Sequence, residues 1–324
     1  MKRAWIYFWL LTVIWGSSFL FMRIVVEQLP PAQLAFTRIG IAAICMNVVL
    51  FATGRRYPRD AKTLGALVLL GLVNTGLPFF LLAWGEQPGK VESGMTSVLQ
   101  ASTPVFALII AHFTFADERI TPIKIMGIAL SFVGIIVLTS RSASGADAGA
   151  PVSSDISGVI AILIASLCYG IGTSFSRKML KDRGIETIVV ATVSMTAAAV
   201  STFILMYLLP LIGERAPVSY SSLTSDVLLW TVTLGLLNTF IAYLMFYNVI
   251  AGLGASRAAM VTYAVPIVAV TLGAIFLNEL IDARLILGSA LILAGISIVN
   301  GWLRRPSRLQ KMELPNEADK APMR

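Results

Sequence analysis

Leu70-Gly71-Leu72-Val73-Asn74-Thr75 and Leu234-Gly235-Leu236-Leu237-Asn238-Thr239 differ at one position of six, and each lies inside a long apolar run. An asparagine in such a run is costly unless it finds a partner. Collinear matches on both sides turn the pair into a repeat. Trp15-Gly16 through Phe21 and Arg23 recur as Tyr169-Gly170 through Phe175 and Arg177, and Pro104 recurs as Pro266. Glu118, Gly127 and Gly134 recur at one constant offset as Glu279, Gly288 and Gly295. The chain is an internal duplication, and its function belongs at the seam between the halves.

Hydrophobic residues make up 57% of the chain and charged residues 13%, with a mean hydropathy of +0.82. Soluble domains carry roughly a quarter of their residues as charges, so the expected fold class is all-α integral membrane. The net charge of +8 is dispersed through short loops, which fits a positive-inside topology and argues against nucleic acid. Cys45 and Cys168 fall inside apolar runs with no CxxC neighbour and no histidine at ligand spacing, so neither a disulfide nor a metal site is expected. The apolar run after Lys2 and Arg3 is too long for a signal peptide and opens the first repeat, so it reads as a retained helix.

A hydrocarbon core about 30 Å thick takes roughly 20 residues per helix, and ten runs qualify. In the first half these are Trp5–Val26, Leu34–Thr53, Leu64–Trp84, Ser93–Phe115 and Thr121–Ser140. The second half gives Ser157–Leu180, Thr187–Leu209, Val227–Ile250, Ala255–Leu277 and Arg284–Leu303. Residues 1–140 thus form one five-helix repeat, 141–156 a flexible periplasmic linker, 157–303 a second repeat, and 304–324 a basic, disordered cytoplasmic tail. Loop lysines and arginines collect on one side, placing both termini in the cytoplasm. Five being odd, the second repeat enters from the opposite face. No phosphate-binding GxxxxGK[ST] loop is present, so ATP hydrolysis in this chain does not drive it.

The candidate site follows the repeat. Helix 3 carries Asn74, Thr75 and Pro78, with Phe79 beside them, and its counterpart carries Asn238, Thr239, Tyr243 and Tyr247. Each asparagine can glue two helices or face a cavity, and both readings stand. Thr96, Gln100 and Thr103 share one face of helix 4 before Pro104, mirrored by Thr262, Tyr263 and Pro266. A symmetric pair of prolines suggests paired bends, against the alternative of ordinary membrane kinks. Trp15 and Ser18 in helix 1 and Tyr169 and Thr173 in helix 6 offer flat surfaces with polar handles.

No Asp or Glu stands in the middle of a span, so a buried proton-exchanging carboxylate is not expected there. His112 reads as a packing residue, and Glu118, Thr121 and Pro122 as the start of helix 5. Arg38 reads as a snorkelling cation near the start of its span, and for Arg257 snorkelling and a place at an inner gate both stand open.

Trp15-Gly16-Ser17-Ser18-Phe19, the glycine-rich third helix, Pro104 with Pro266, and the paired Glu–Gly–Gly pattern resemble the EamA family of the drug/metabolite transporter superfamily. Within it the chain is most similar to YddG-type exporters of aromatic amino acids and methionine. The resemblance implies ten helices as two inverted five-helix repeats, a cavity lined by helices 1, 3, 4, 6, 8 and 9, and export by alternating access. Helix 6 departs from the pattern, with Tyr169-Gly170-Ile171-Gly172 where helix 1 has Trp15-Gly16-Ser17-Ser18. The expected partners are a small neutral or zwitterionic metabolite, amino-acid-like, and the lipid bilayer. No cofactor is expected, and the sequence leaves the oligomeric state open, a monomer being compatible with it.

Overall fold

The computed structural model describes residues 2–115, 119–140, 155–180 and 184–300. Glu118, linker residues 141–154 and the tail from 301 onward lie outside the described residues. Among the described residues all regular structure is helical. The first half contains α1 (Lys2–Val25), α2 (Pro31–Ala52), α3 (Ala61–Gly71), α4 (Leu77–Gly85), α5 (Ser93–Gln100), α6 (Thr103–Thr114) and α7 (Pro122–Thr139). The second contains α8 (Ile156–Leu180), α9 (Thr187–Leu208), α10 (Ser225–Gly235), α11 (Ala242–Leu253), the single turn α12 (Ala255–Ala258), α13 (Val261–Phe276) and α14 (Ala283–Val299). Eight helical stretches are long and apolar enough to cross a membrane, and Val261–Phe276 and Ala283–Val299 are shorter apolar helices.

Local chemistry sets these boundaries. Asp60 caps α3 by accepting from Thr63 N at 2.9 Å, and Asp282 caps α14 by accepting from Leu285 N at 2.8 Å. Thr121 accepts from Lys124 N at 3.4 Å with Pro122 in the first turn, the helix start expected from the sequence. Gly254, at φ +84°, ends α11 in a conformation other residues resist.

The duplicated hexapeptide has a conformational signature of its own. Leu72–Gly76 joins α3 to α4, and Leu236–Ile241 joins α10 to α11, each as a widened π-turn. In the first, Leu77 N bonds the carbonyl five residues back, Leu72 O. Pro78 then has no N–H to offer the Asn74 carbonyl. In the second, the Thr239 hydroxyl donates to Leu234 O at 2.8 Å, also five residues back.

The fourth and ninth spans are both interrupted, though not at matching places. Between α5 and α6, Pro104 cannot donate to Gln100 O, and the Thr103 hydroxyl takes that carbonyl instead at 2.7 Å. Gln100 and Thr103 stand on either side of this break. Thr96 is wholly buried and donates to Glu92 O at 3.0 Å. In the ninth span the break falls between α12 and α13, and Pro266 lies inside α13, one to two turns later. The expected pair of proline bends is therefore one proline break and one embedded proline.

Packing crosses between the halves. α1 lies against α11 and α13, α8 lies against α4 and α6, and α2 packs along α9. A close seam joins α7 to α14 and explains the four glycines of the repeated pattern. A Cβ on Gly127 would stand 2.7 Å from Gly295 O, and one on Gly134 would stand 2.7 Å from Gly288 O. The pairing 127 with 295 and 134 with 288 makes the two helices antiparallel. Outward, Ile44, Val48, Phe203 and Ile204 are exposed apolar side chains, as a lipid-facing surface requires.

Candidate functional site

A cavity of about 1130 Å³ runs through the middle of the molecule. It reaches the end of the bundle where Phe115, Lys124, Arg177 and Asn300 lie. Its wall is mostly aromatic and aliphatic, with isolated polar groups, the composition of a small-molecule site.

Twelve of the seventeen residues singled out from the sequence line it. Trp15 and Ser18 come from α1, Asn74 from the first π-turn, Phe79 from α4, Gln100 from α5 and Pro104 from α6. Tyr169 and Thr173 come from α8, Asn238 from the second π-turn, Tyr243 from α11, and Thr262 and Tyr263 from α13. Trp15 packs against Phe246 with ring centroids 5.2 Å apart, and Tyr263 accepts from Asn300 Nδ2 at 2.6 Å. Thr75, Pro78, Thr96, Thr239 and Pro266 do not line the cavity and are buried in helix packing.

The two asparagines brace opposite halves. Asn238 Nδ2 donates to the Ile14 carbonyl and to Ser17 Oγ at 3.2 Å, tying the second π-turn to α1. Its Oδ1 is buried without a hydrogen-bond partner. Asn74 sits against Gly172 of α8, where any side chain would collide with its amide. Asn238 therefore serves as helix glue and cavity wall at once, and Asn74 lines the cavity while packing against α8.

Arg38 corrects the sequence reading most. It does not snorkel: it is 8% exposed and lines the cavity. Its Nε donates to Thr239 Oγ1 at 2.8 Å, and its guanidinium carbon lies 4.4 Å from the centre of the Phe79 ring. The α2 entrance is roofed by the loop after α9, where Gln33 bonds Val218 O at 2.8 Å and Val218 N at 2.9 Å. That roof denies the arginine a route to the near surface.

The other end of the cavity is closed. Glu279, from the loop before α14, accepts from Ser93 N at 2.7 Å and Gly94 N at 2.9 Å, capping α5 across the halves. Arg23 donates to the Glu86 carbonyl oxygen. The Glu86 side chain, immediately after α4, is fully buried, and neither carboxylate oxygen has a hydrogen-bond partner. Burial above all, then the Glu279 carboxylate, pushes Glu86 well above the usual carboxylate range, against the pull of Arg23. Sequence reading placed Glu86 at a helix end without foreseeing its burial. His112 lies at the opposite end, where Nδ1 accepts from Ile120 N at 3.3 Å, and Arg257 is exposed on α12.

Long apolar helices around a cavity that is open at one end and plugged at the other define a multi-pass membrane transporter. The sequence pattern of the EamA-like transporter family matches residues 2–140 and 156–301, and the chain belongs to that family, whose members are transporters and not enzymes. It is 28% identical to the uncharacterized transporter YoaV of Bacillus subtilis over 88% of this chain and 92% of that protein. It is 29% identical to a probable terminal-alkyne amino-acid exporter of Streptantibioticus cattleyicolor, over 90% of this chain and 91% of that one. A crystal structure of similar fold aligns with a TM-score of 0.58 at 18% identity, covering 92% of this chain and 96% of that chain.

Proposed function

We propose that this protein exports small neutral or zwitterionic metabolites, amino acids of the aromatic or methionine type, from the cytoplasm across a bacterial inner membrane. In this reading ten helices cross the bilayer as two inverted repeats, and both termini are cytoplasmic. The cavity then faces the cytoplasm, and the contacts of Arg23, Ser93 and Gly94 form the closed outer gate. Alternating access opens that gate as the inner end closes.

The observation that carries the reading is the cavity itself. Trp15, Phe79, Tyr169, Tyr243 and Tyr263 give it aromatic walls, while Asn74, Gln100, Asn238 and Thr262 supply sparse neutral polar groups. The amino-acid exporter named among its relatives supports the substrate class. Facilitated flux without obligatory proton exchange fits a described lining that contains no Asp or Glu. One observation favours a second reading, proton-coupled export: the fully buried carboxyl of Glu86 at the closed end.

Uptake of labelled phenylalanine into proteoliposomes, with and without an imposed pH gradient, tests both. Flux in both conditions is expected. Flux only with the gradient supports the coupled reading and directs attention to Glu86, and no flux in either discards aromatic amino acids as substrates.

A further inference from the structure

A buried cation in a membrane protein is stable only with a counter-charge or a full set of acceptors. Arg38 has neither. Thr239 Oγ1 takes the Nε proton, and the Thr239 hydroxyl hydrogen is itself committed to Leu234 O. No carboxylate among the described residues lies within ion-pair distance of the guanidinium, and no hydrogen bond from its two terminal nitrogens is present. Phe79 covers one face of the group. The guanidinium keeps its charge, so its end-on fork, two nitrogens in one plane, is the part of Arg38 left to receive an anion.

The rest of the described wall has the same sign. Arg38, Lys124 and Arg177 line the cavity, with no acidic side chain among the described lining residues. Arg177 stands toward the open end, 4.5 Å from the centre of the Phe115 ring, and Arg38 is the buried member of the set. The described part of the lining therefore suits an anion better than a bare cation, with Arg38 as its buried charge.

We propose that Arg38 is the receptor for the substrate's carboxylate, and that the carboxylate, not the ammonium, is the group this transporter selects. This rests on the export reading and narrows it. A planar carboxylate pairs with the end-on guanidinium through two parallel N–H···O bonds, while its aromatic or aliphatic body meets the apolar wall. Thr239 and Phe79 hold the fork in place, one from each half of the molecule. The substrate class accordingly extends to aryl and alkyl monocarboxylates with no amino group and excludes amines without a carboxylate.

Four ligands of one shape separate the charges: phenylalanine, 3-phenylpropionate, phenylalanine amide and phenethylamine. Binding to the purified full chain is read by thermal stabilisation and by competition with labelled phenylalanine. The carboxylates are expected to bind, 3-phenylpropionate at least as tightly as phenylalanine, with the amide and amine weaker by about tenfold or more. Arg38→Gln should weaken 3-phenylpropionate by at least about tenfold, and Arg38→Lys, which keeps the charge and loses the fork, by less. Amide or amine binding equal to that of the carboxylates overturns the proposal, as does full carboxylate affinity in a folded Arg38→Gln protein. The wild-type ligand series decides even if the variants fail to fold. Arg38-dependent binding of 3-phenylpropionate without phenylalanine flux sinks the amino-acid reading and leaves Arg38 standing. Phenylalanine flux that the amide inhibits equally does the reverse.

Discussion

Arg38 Nε and Thr239 Oγ1 lie 2.8 Å apart, joining the second helix of one half to the π-turn of the other. Neither residue could fill its role alone. Thr239 can accept because its own proton reaches back to Leu234 O at the point where the helix widens. Replacing Thr239 with valine keeps the shape and removes the acceptor, leaving a buried charged donor unsatisfied. Thr239→Val should lower stability by about 1–3 kcal/mol, seen as an earlier unfolding midpoint, and should weaken substrate binding without altering the lining. An unchanged midpoint and unchanged binding would mean that Thr239 does not brace Arg38.

The α7–α14 seam gives a prediction about packing. A side chain on Gly134 would meet the Gly288 carbonyl oxygen at 2.7 Å, which is backbone that cannot rotate away. Gly134→Leu should destabilise the protein by about 1–3 kcal/mol through overpacking. Gly65, in the first turns of α3, has nothing within 4 Å of where a Cβ would be. Gly65→Ala should be neutral or should stabilise by about 0.5–1 kcal/mol, the helix-propensity difference. Thermal unfolding of the two purified variants checks both signs.

Glu86 should make stability depend on pH. Burial raises its carboxyl above the unfolded value, so the native state binds the proton more tightly than the unfolded chain. The stabilisation is complete below the unfolded value and is lost as pH rises through the native one. The unfolding midpoint should fall as pH rises above the ordinary carboxylate range, and Glu86→Gln should flatten that slope. A slope unchanged in Glu86→Gln would place the titration elsewhere.

Orientation can be read from one cysteine. Thr262 is exposed to the cavity, near its open end. With Cys45 and Cys168 replaced, Thr262→Cys should react with an impermeant maleimide in inside-out vesicles and stay protected in right-side-out cells. The opposite pattern would turn the cavity outward and reverse the proposed topology.

Much of this was legible in the sequence because a membrane chain must declare its helices by apolar length and its duplication by collinear matches. The Asn-Thr doublets marked the places where helices widen, although side-chain periodicity carries no sign of an i+5 bond. Arg38 was not legible. Whether a cation near a helix start snorkels depends on what roofs that start, and here the roof is Val218 bonded to Gln33, 185 residues away in sequence. Glu86 was hidden for the same reason: its burial comes from neighbours such as Arg23 and Glu279, which sequence distance conceals. Pro266 misled because it lies inside α13, whereas the break falls earlier, between α12 and α13, where the Thr262 hydroxyl donates to Ala259 O at 2.7 Å much as Thr103 does to Gln100 O beside Pro104.

In the proposed cycle substrate passes through this cavity. Counterflow of labelled phenylalanine in proteoliposomes, comparing the wild type with Thr262→Trp, tests it directly, because the indole would occupy the lumen from a position that faces space and not packed neighbours. The expected result is counterflow in the wild type and its loss in the variant, with the unfolding midpoint preserved. Undiminished counterflow in a folded Thr262→Trp protein would show that substrate travels by another route.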